Sequence, residues 1–212
     1  MLMQMVDAGG LPALTDGRRL ADRDNPKGYF ELEAATRLHT DKTWLAEATG
    51  RCVKVVAQLL TALPRDRAYR VLFIERDLDE VMASQQSMLE RLGRESATLD
   101  AAALRRTYQA QLARFKRRLA VAPNLCVLYL QHREVLRDPG AAAAAIDAFL
   151  GGGLDRAAMV AAVDTALYRQ RGAVPMDTLT ARNRGQTLRY PDASQSGTAS
   201  RCFTSLPPSA RL

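Results

Sequence analysis

Residues 69–89 read YRVLFIERDLDEVMASQQSML, and the reading of the fold starts from them. Tyr69–Glu75 is a short run rich in Val, Leu, Phe and Ile ahead of a charged turn, which predicts a buried strand. A helix is predicted to follow at once. Asp77 stands as its N-cap, with Glu80 three residues on in a capping-box pattern. Leu78, Met82, Gln85, Leu89 and Leu92 share one face at 3.6 spacing, and Gly93 is a stop. A strand, a tight turn and a helix make half of a βαβ unit. Ligands of open α/β sheets bind beyond the carboxyl ends of the strands, and Arg76 stands at that end. Ser84 lies two turns along the helix, roughly 10 Å from its start, within range of a shared anion if Arg76 folds back.

Working outward, residues 52–56 (CVKVV) read as a second strand interrupted by Lys54, and residues 124–130 (NLCVLYL) as a third. Between the last two, residues 99–120 form a long amphipathic helix. Leu104, Tyr108, Leu112, Phe115 and Leu119 make its apolar stripe, and Arg105, Arg106, Arg114, Lys116, Arg117 and Arg118 its basic face. Residues 131–137 are a connector, Pro139 opens a helix to Leu150 that Gly151–Gly153 ends, and residues 154–163 form a last helix. Before the central unit, residues 1–8 (MLMQMVDA) are helical and stop at Gly9 and Gly10. Residues 11–30 are a charged loop, residues 31–39 and 41–48 short helices with Trp44 and Leu45 inward, and residues 58–63 a short helix or turn. From Asp177 the periodicity disappears and Ser, Thr, Pro, Gly and Arg dominate. Residues 177–212 therefore read as a disordered tail behind an α/β domain of residues 1–176. Three strands are few for so many helices. With no capping residue ahead of the first helix, the pattern predicts a strand missing at the amino end.

A hydrophobic fraction of 47% and a charged fraction of 25% are globular values, so the chain can bury a core. The net charge is +7, and five arginines against two aspartates in residues 177–212 supply +3 of it. The remaining excess favours anionic partners without choosing among them. Cys52, Cys126 and Cys202 are odd in number and form no CxxC pair, which suits a reducing cytoplasm. No basic-then-apolar leader opens the chain, and no apolar run approaches the ~18 residues of a membrane span.

Three segments resemble the sulfotransferase family, especially its bacterial branch. Residues 1–31 look like the segment after the family's 5′-phosphosulfate loop. Residues 51–64 with 69–89 look like its second characteristic block, and residues 124–152 are similar to the strand–turn–helix block that follows. The resemblance covers roughly residues 1–172 and implies a three-layer, P-loop-like core with a mostly parallel sheet. Carried over by position, it implies that Arg76 and Ser84 bind the 3′-phosphate of 3′-phosphoadenosine 5′-phosphosulfate. It implies Lys54 near the donor's bridging oxygen, His132 beside the adenine, and Arg171 with Gly172 closing on the 3′-phosphate. A guanidinium suits phosphate through bidentate charge-assisted bonds, and a cation at Lys54 stabilises charge on the leaving phosphate. No metal is implied.

Three departures stand out. The phosphosulfate loop, a Gly-Ser/Thr-rich turn that cradles the anion with backbone N–H groups, would precede Met1. Val55 occupies the position where cytosolic relatives carry a histidine base, so the base falls to Asp16, Asp24, Glu31 or Glu33, with Glu31 chosen for its place after the Gly28 turn. Val174 and Pro175 stand where a second glycine of the closing motif is expected.

The implied activity is sulfuryl transfer to a hydroxyl or amine of a small-molecule or peptide acceptor. The alternative is an inactive remnant keeping only the 3′-phosphoadenosine half-site. A nucleotide kinase on the same fold needs a G-x-x-x-x-G-K-[ST] motif, which the chain lacks. Nucleic acid is disfavoured, since the basic helix face has no interleaved aromatics. Each residue also has a plainer reading. Arg76 pairs with Asp77 or Asp79, Ser84 is a tolerated helix hydroxyl, and Lys54 snorkels to a strand rim. His132 is a turn residue, and Glu31 and Glu33 are first-turn carboxylates favoured by the helix dipole.

Overall fold

In the computed structural model, which describes residues 1–22, 25, 27–82 and 101–164, the chain is a mixed α/β protein centred on two parallel strands. β1 (Tyr69–Glu75) and β2 (Leu125–Gln131) pair along their whole lengths, from Tyr69 opposite Leu125 to Glu75 opposite Gln131. Their aromatic and branched residues suit a pleated surface packed on both sides. The in-phase register brings the two carboxyl ends to the same height. Arg76 leaves β1 where His132 leaves β2, and Gln131 donates to Glu75 Oε2 across the gap at 3.0 Å.

Six α-helices are labelled in chain order: α1 (Leu2–Ala8), α2 (Glu33–Thr36), α3 (Ala101–Ala120), α4 (His132–Arg137), α5 (Pro139–Leu150) and α6 (Arg156–Ala161). Residues 78–82 are also helical. Asp77 caps that helix as expected, its Oδ1 accepting from the N–H groups of Asp79 (2.9 Å) and Glu80 (3.4 Å). The rest of that helix, with Ser84 and Gly93, lies outside the described residues, as do Arg171, Gly172 and the tail.

Local signals account for several helix ends. α1 stops in a Schellman arrangement, with Leu11 N–H bonding Val6 O at 3.0 Å and Gly10 N–H bonding Asp7 O at 3.1 Å. Gly10 takes a φ of +100°, which a side chain would strain. Asp138 caps α5 through the Ala141 N–H at 2.8 Å, and Gly151 ends it in the left-handed conformation. The α3 stripe is confirmed: Leu104, Tyr108, Leu112 and Phe115 are half-buried and Leu119 is buried, while five of its six cationic residues are exposed. Lys116 instead reaches Glu75 Oε1 at 2.5 Å and sits over the Tyr129 ring.

The core divides in two. The first cluster joins Met5, Val6, Leu130, Val135, Ile146 and Met159, where α1, α5 and α6 meet one face of the sheet, with Leu72 and Leu128 packed against it. The second joins Leu14, Leu38, Trp44, Leu45, Ala48 and Tyr69 beneath the segment between α1 and β1. Fully burying a side chain the size of Met159 stabilises by about 2–3 kcal/mol. Trp44 and Leu45 are inward as expected.

Residues 52–56 overturn an expectation. They form no strand of the sheet; one bridge joins Cys52 to Ala13. Cys52 places its N–H on Pro12 O (3.0 Å) and its C=O on the Leu14 N–H (2.9 Å), so residues 12–14, not β1, take the pairing. The helix expected over residues 31–39 shrinks to α2. Glu31 is held outside it because its C=O accepts from Thr15 Oγ1 (2.7 Å) and the Asp16 N–H (3.2 Å). The helix over residues 41–48 is one 3-10 turn, Thr43–Ala46, and Ala57–Ala62 is another.

Candidate functional site

The carboxyl ends of β1 and β2 present two sequence-predicted residues side by side. Arg76 is exposed at the end of β1. The ion pair expected with its acidic neighbours does not form. Asp79 is taken by Arg105 at 3.1 Å, and Asp77 spends its carboxylate on the helix cap and Arg133. Among the described residues the Arg76 guanidinium has no ion-pair or hydrogen-bond partner. Its charge is therefore available to an anion.

His132 opens α4 directly across from it. Partial burial pushes the imidazole down to about 4, and the charge of Arg76 acts in the same direction, against Glu80. The ring is thus neutral at physiological pH. Glu80, from the helix after β1, is buried and receives Arg133 Nε at 2.7 Å, which fixes that helix against α4.

A second constellation stands on the charged loop. Lys54 Nζ donates to Glu31 Oε1 at 3.0 Å and to Tyr29 O at 3.2 Å. The two residues expected to act in catalysis thus form an ion pair, 23 positions apart. Arg19 approaches the same carboxylate at 3.3 Å and lies 3.4 Å above the centre of the Tyr29 ring, whose hydroxyl donates to Asp22 at 2.7 Å. The Lys54 hydrogen bond and both cations hold Glu31 below the usual carboxylate range. It stays ionised but is a poorer proton acceptor than a free glutamate. Because the pair is partly exposed, it contributes at most ~1 kcal/mol to stability. Asp16 plays a structural part, its Oδ2 accepting the Glu33 N–H at 2.6 Å at the start of α2. Next to Glu31, Phe30 adopts a φ of +52°, the one non-glycine in the left-handed region among the described residues.

Sequence reasoning missed a cavity of about 480 Å³ that runs along β1, within the range of ligand pockets. Phe30, Trp44, Val53, Lys54, Leu72 and Phe73 are among its lining residues. Among the described residues, Arg51, Lys54 and Arg70 line it and no carboxylate does. No local signal marks it, because its walls come from segments far apart in sequence.

Among the described residues, no group of three metal-ligating side chains is found, and no helix is long and apolar enough to cross a membrane. No model of a known protein family matches the chain, and neither the curated proteins nor the solved structures contain a match.

Proposed function

We propose that the chain is a sulfotransferase-type protein, moving a sulfuryl group from 3′-phosphoadenosine 5′-phosphosulfate to a hydroxyl or amine of a small-molecule or peptide acceptor. The reading includes a three-layer, P-loop-like arrangement of the α/β core, a cytoplasmic location, and no nucleic-acid or membrane partner. The observation that carries it is the unpartnered Arg76 guanidinium beside a neutral imidazole, at the coincident ends of two in-register parallel strands. That is where a doubly wound sheet takes ligands.

The residues divide the work. Arg76 offers bidentate, charge-assisted bonds to a phosphate. His132, uncharged, presents a flat ring suited to stacking on a purine without repelling Arg76. Lys54 places an ammonium where charge on a leaving phosphate would be stabilised. Glu31, held acidic by that ammonium, acts more as the anchor that positions Lys54 than as the base. Once bound, the donor would supply a sulfuryl group whose S–O bond to phosphate breaks as a bond to the acceptor oxygen or nitrogen forms, the electron pair leaving on the phosphate and the acceptor's proton passing to solvent. Positioning and charge stabilisation supply most of the acceleration in such in-line transfers.

A remnant that keeps the 3′-phosphoadenosine half-site and lacks turnover is the second reading. It is favoured by one observation: the Lys54 hydrogen bond lowers the basicity of Glu31, the candidate general base. Calorimetry with 3′-phosphoadenosine 5′-phosphate, on wild type and Arg76→Ala, tests both. Binding that Arg76→Ala weakens at least 10-fold, together with transfer of radiolabelled sulfate to an alcohol or phenol, supports the enzyme. The same binding without transfer supports the remnant. No binding by the wild type overturns both.

A further inference from the structure

β2 forms the outer edge of the sheet, on the side away from the cavity. Tyr69 donates its N–H to Asn124 O at 2.8 Å, so the even-numbered residues of β2 turn their backbone groups to β1 and the odd-numbered ones turn theirs outward. The Leu125 N–H is taken by Ala122 O at 3.2 Å. Beyond it, the N–H and C=O of Val127 and Tyr129 bond nothing among the described residues. The cavity runs along β1 and no residue of β2 lines it, so whatever fills that space leaves this edge as it is. Edge strands are ordinarily blunted by a lysine, a proline, a bulge or shortness. β2 has none of these: it runs for 7 residues in regular register, without a charge, a proline or a glycine. Tyr129 is exposed on it, its ring against Phe73 with centroids 5.4 Å apart.

We infer that this edge is the seat of a second copy of the chain, whose β2 pairs antiparallel with the first about a twofold axis at Leu128. In that register Val127 lies opposite Tyr129 of the second copy, and each of the two both donates and accepts a main-chain hydrogen bond. A branched residue against an aromatic is a favourable cross-strand pair, and β2 brings no charge to the axis. The helix above the strands selects the occupant. Phe115 packs on Phe73 of β1, centroids 6.0 Å apart, and Lys116 sits over the Tyr129 ring of β2, so α3 straddles the pair. With strands about 4.8 Å apart, the α3 axes of the two copies come to lie about 10 Å apart, at the distance of packed helices. The flank they share is the one Lys116 marks. Ala113 and Ala120, three positions before it and four after, stand on that flank, and both are exposed. Their small side chains leave room for a neighbouring helix. A second copy brings that helix with its strand, whereas a lone extended peptide leaves the alanines uncovered. The twofold closes on itself, so assembly stops at the dimer.

The test is sedimentation velocity on the full chain over a wide range of concentration, which is expected to show a dimer in equilibrium with monomer. Each copy carries a net charge of +7, so added salt should tighten the dimer by screening the repulsion. Val127→Pro removes an outward N–H and no bond to β1, and Tyr129→Lys places a charge at the pair while keeping every backbone group. Each is expected to weaken the dimer at least 10-fold with the far-UV circular dichroism unchanged. If Val127→Pro does not fold, Tyr129→Lys and hydrogen exchange on the wild type decide. Exchange at the Val127 and Tyr129 amides is expected to slow as concentration rises, with no change at Cys126 and Leu128, whose amides already face β1. A monomer at every concentration, a dimer that Tyr129→Lys leaves as tight as wild type, or a dimer that salt disperses overturns the inference. So does protection of Val127 and Tyr129 already complete in the monomer, since a segment of the same chain would then hold the edge.

Discussion

The imidazole of His132 offers the sharpest check on the geometry at the strand ends. Its pKa, lowered from 6.5 to about 4, has burial as its first cause and the charge of Arg76 as its second. A histidine with a depressed native pKa favours the fold while it is neutral. The contribution is complete above the unfolded value near 6.5 and is lost as the pH falls toward 4. At ~1.4 kcal/mol per unit the full shift would be ~3 kcal/mol, and the partial exposure of the ring reduces that to about 1–2 kcal/mol. Urea denaturation at pH 7 and pH 4.5 should show that fall in wild type and a smaller one in His132→Asn. The chain has two histidines, so a His39→Gln background leaves a single imidazole for NMR titration. In that background the titration is expected near 4, and Arg76→Gln should move it upward by removing a neighbouring cation. Adding 3′-phosphoadenosine 5′-phosphate should also raise it, since an anion beside the ring stabilises imidazolium. A titration at 6 or above, or one unmoved by Arg76→Gln, would refute the side-by-side placement of the two residues.

Two further outcomes test the packing. Gly9→Ala should cost about 1–3 kcal/mol in urea denaturation, because the new Cβ would lie 2.7 Å from Met159 Cγ in the first core cluster. Gly9 has a φ of −73°, which alanine accepts, so a variant as stable as wild type would mean that Met159 is not wedged there. Cys52, its thiol pushed up to about 12 by burial, should react with iodoacetamide about 1,000-fold more slowly at pH 8 than a free thiol. Peptide mapping by mass spectrometry at timed intervals reads this directly, and labelling at the free-thiol rate would show that the cavity wall opens.

What the sequence disclosed follows the range of the forces involved. β1, β2, the stop at Gly10, the Asp77 cap and the Pro139 start are set by neighbouring residues, and each was legible. Residues 52–56 have the apolar pattern of a strand, yet the choice of partner belonged to residues 12–14, some 40 positions away. α2 fell short for the same reason: Thr15 and Asp16 hold Glu31 outside the helix. At the site, Arg76 and His132 could be read as strand ends, but their meeting depends on a register that no local signal encodes. The Lys54–Glu31 ion pair was hidden likewise, although both residues had been singled out. It changes the chemistry expected of Glu31 by lowering its basicity.

The division of the core has a consequence for how the molecule unfolds. Both strands span the two halves: Tyr69 of β1 and Leu125 of β2 pack with the cluster under the amino-terminal segment, while Leu72, Leu128 and Leu130 pack with the helical cluster. The cavity lies where the halves meet, lined by members of both clusters. Cooperativity between them therefore runs through the β1–β2 pair. Weakening that pair uncouples two folding units, whereas an equal loss inside either cluster lowers that unit alone.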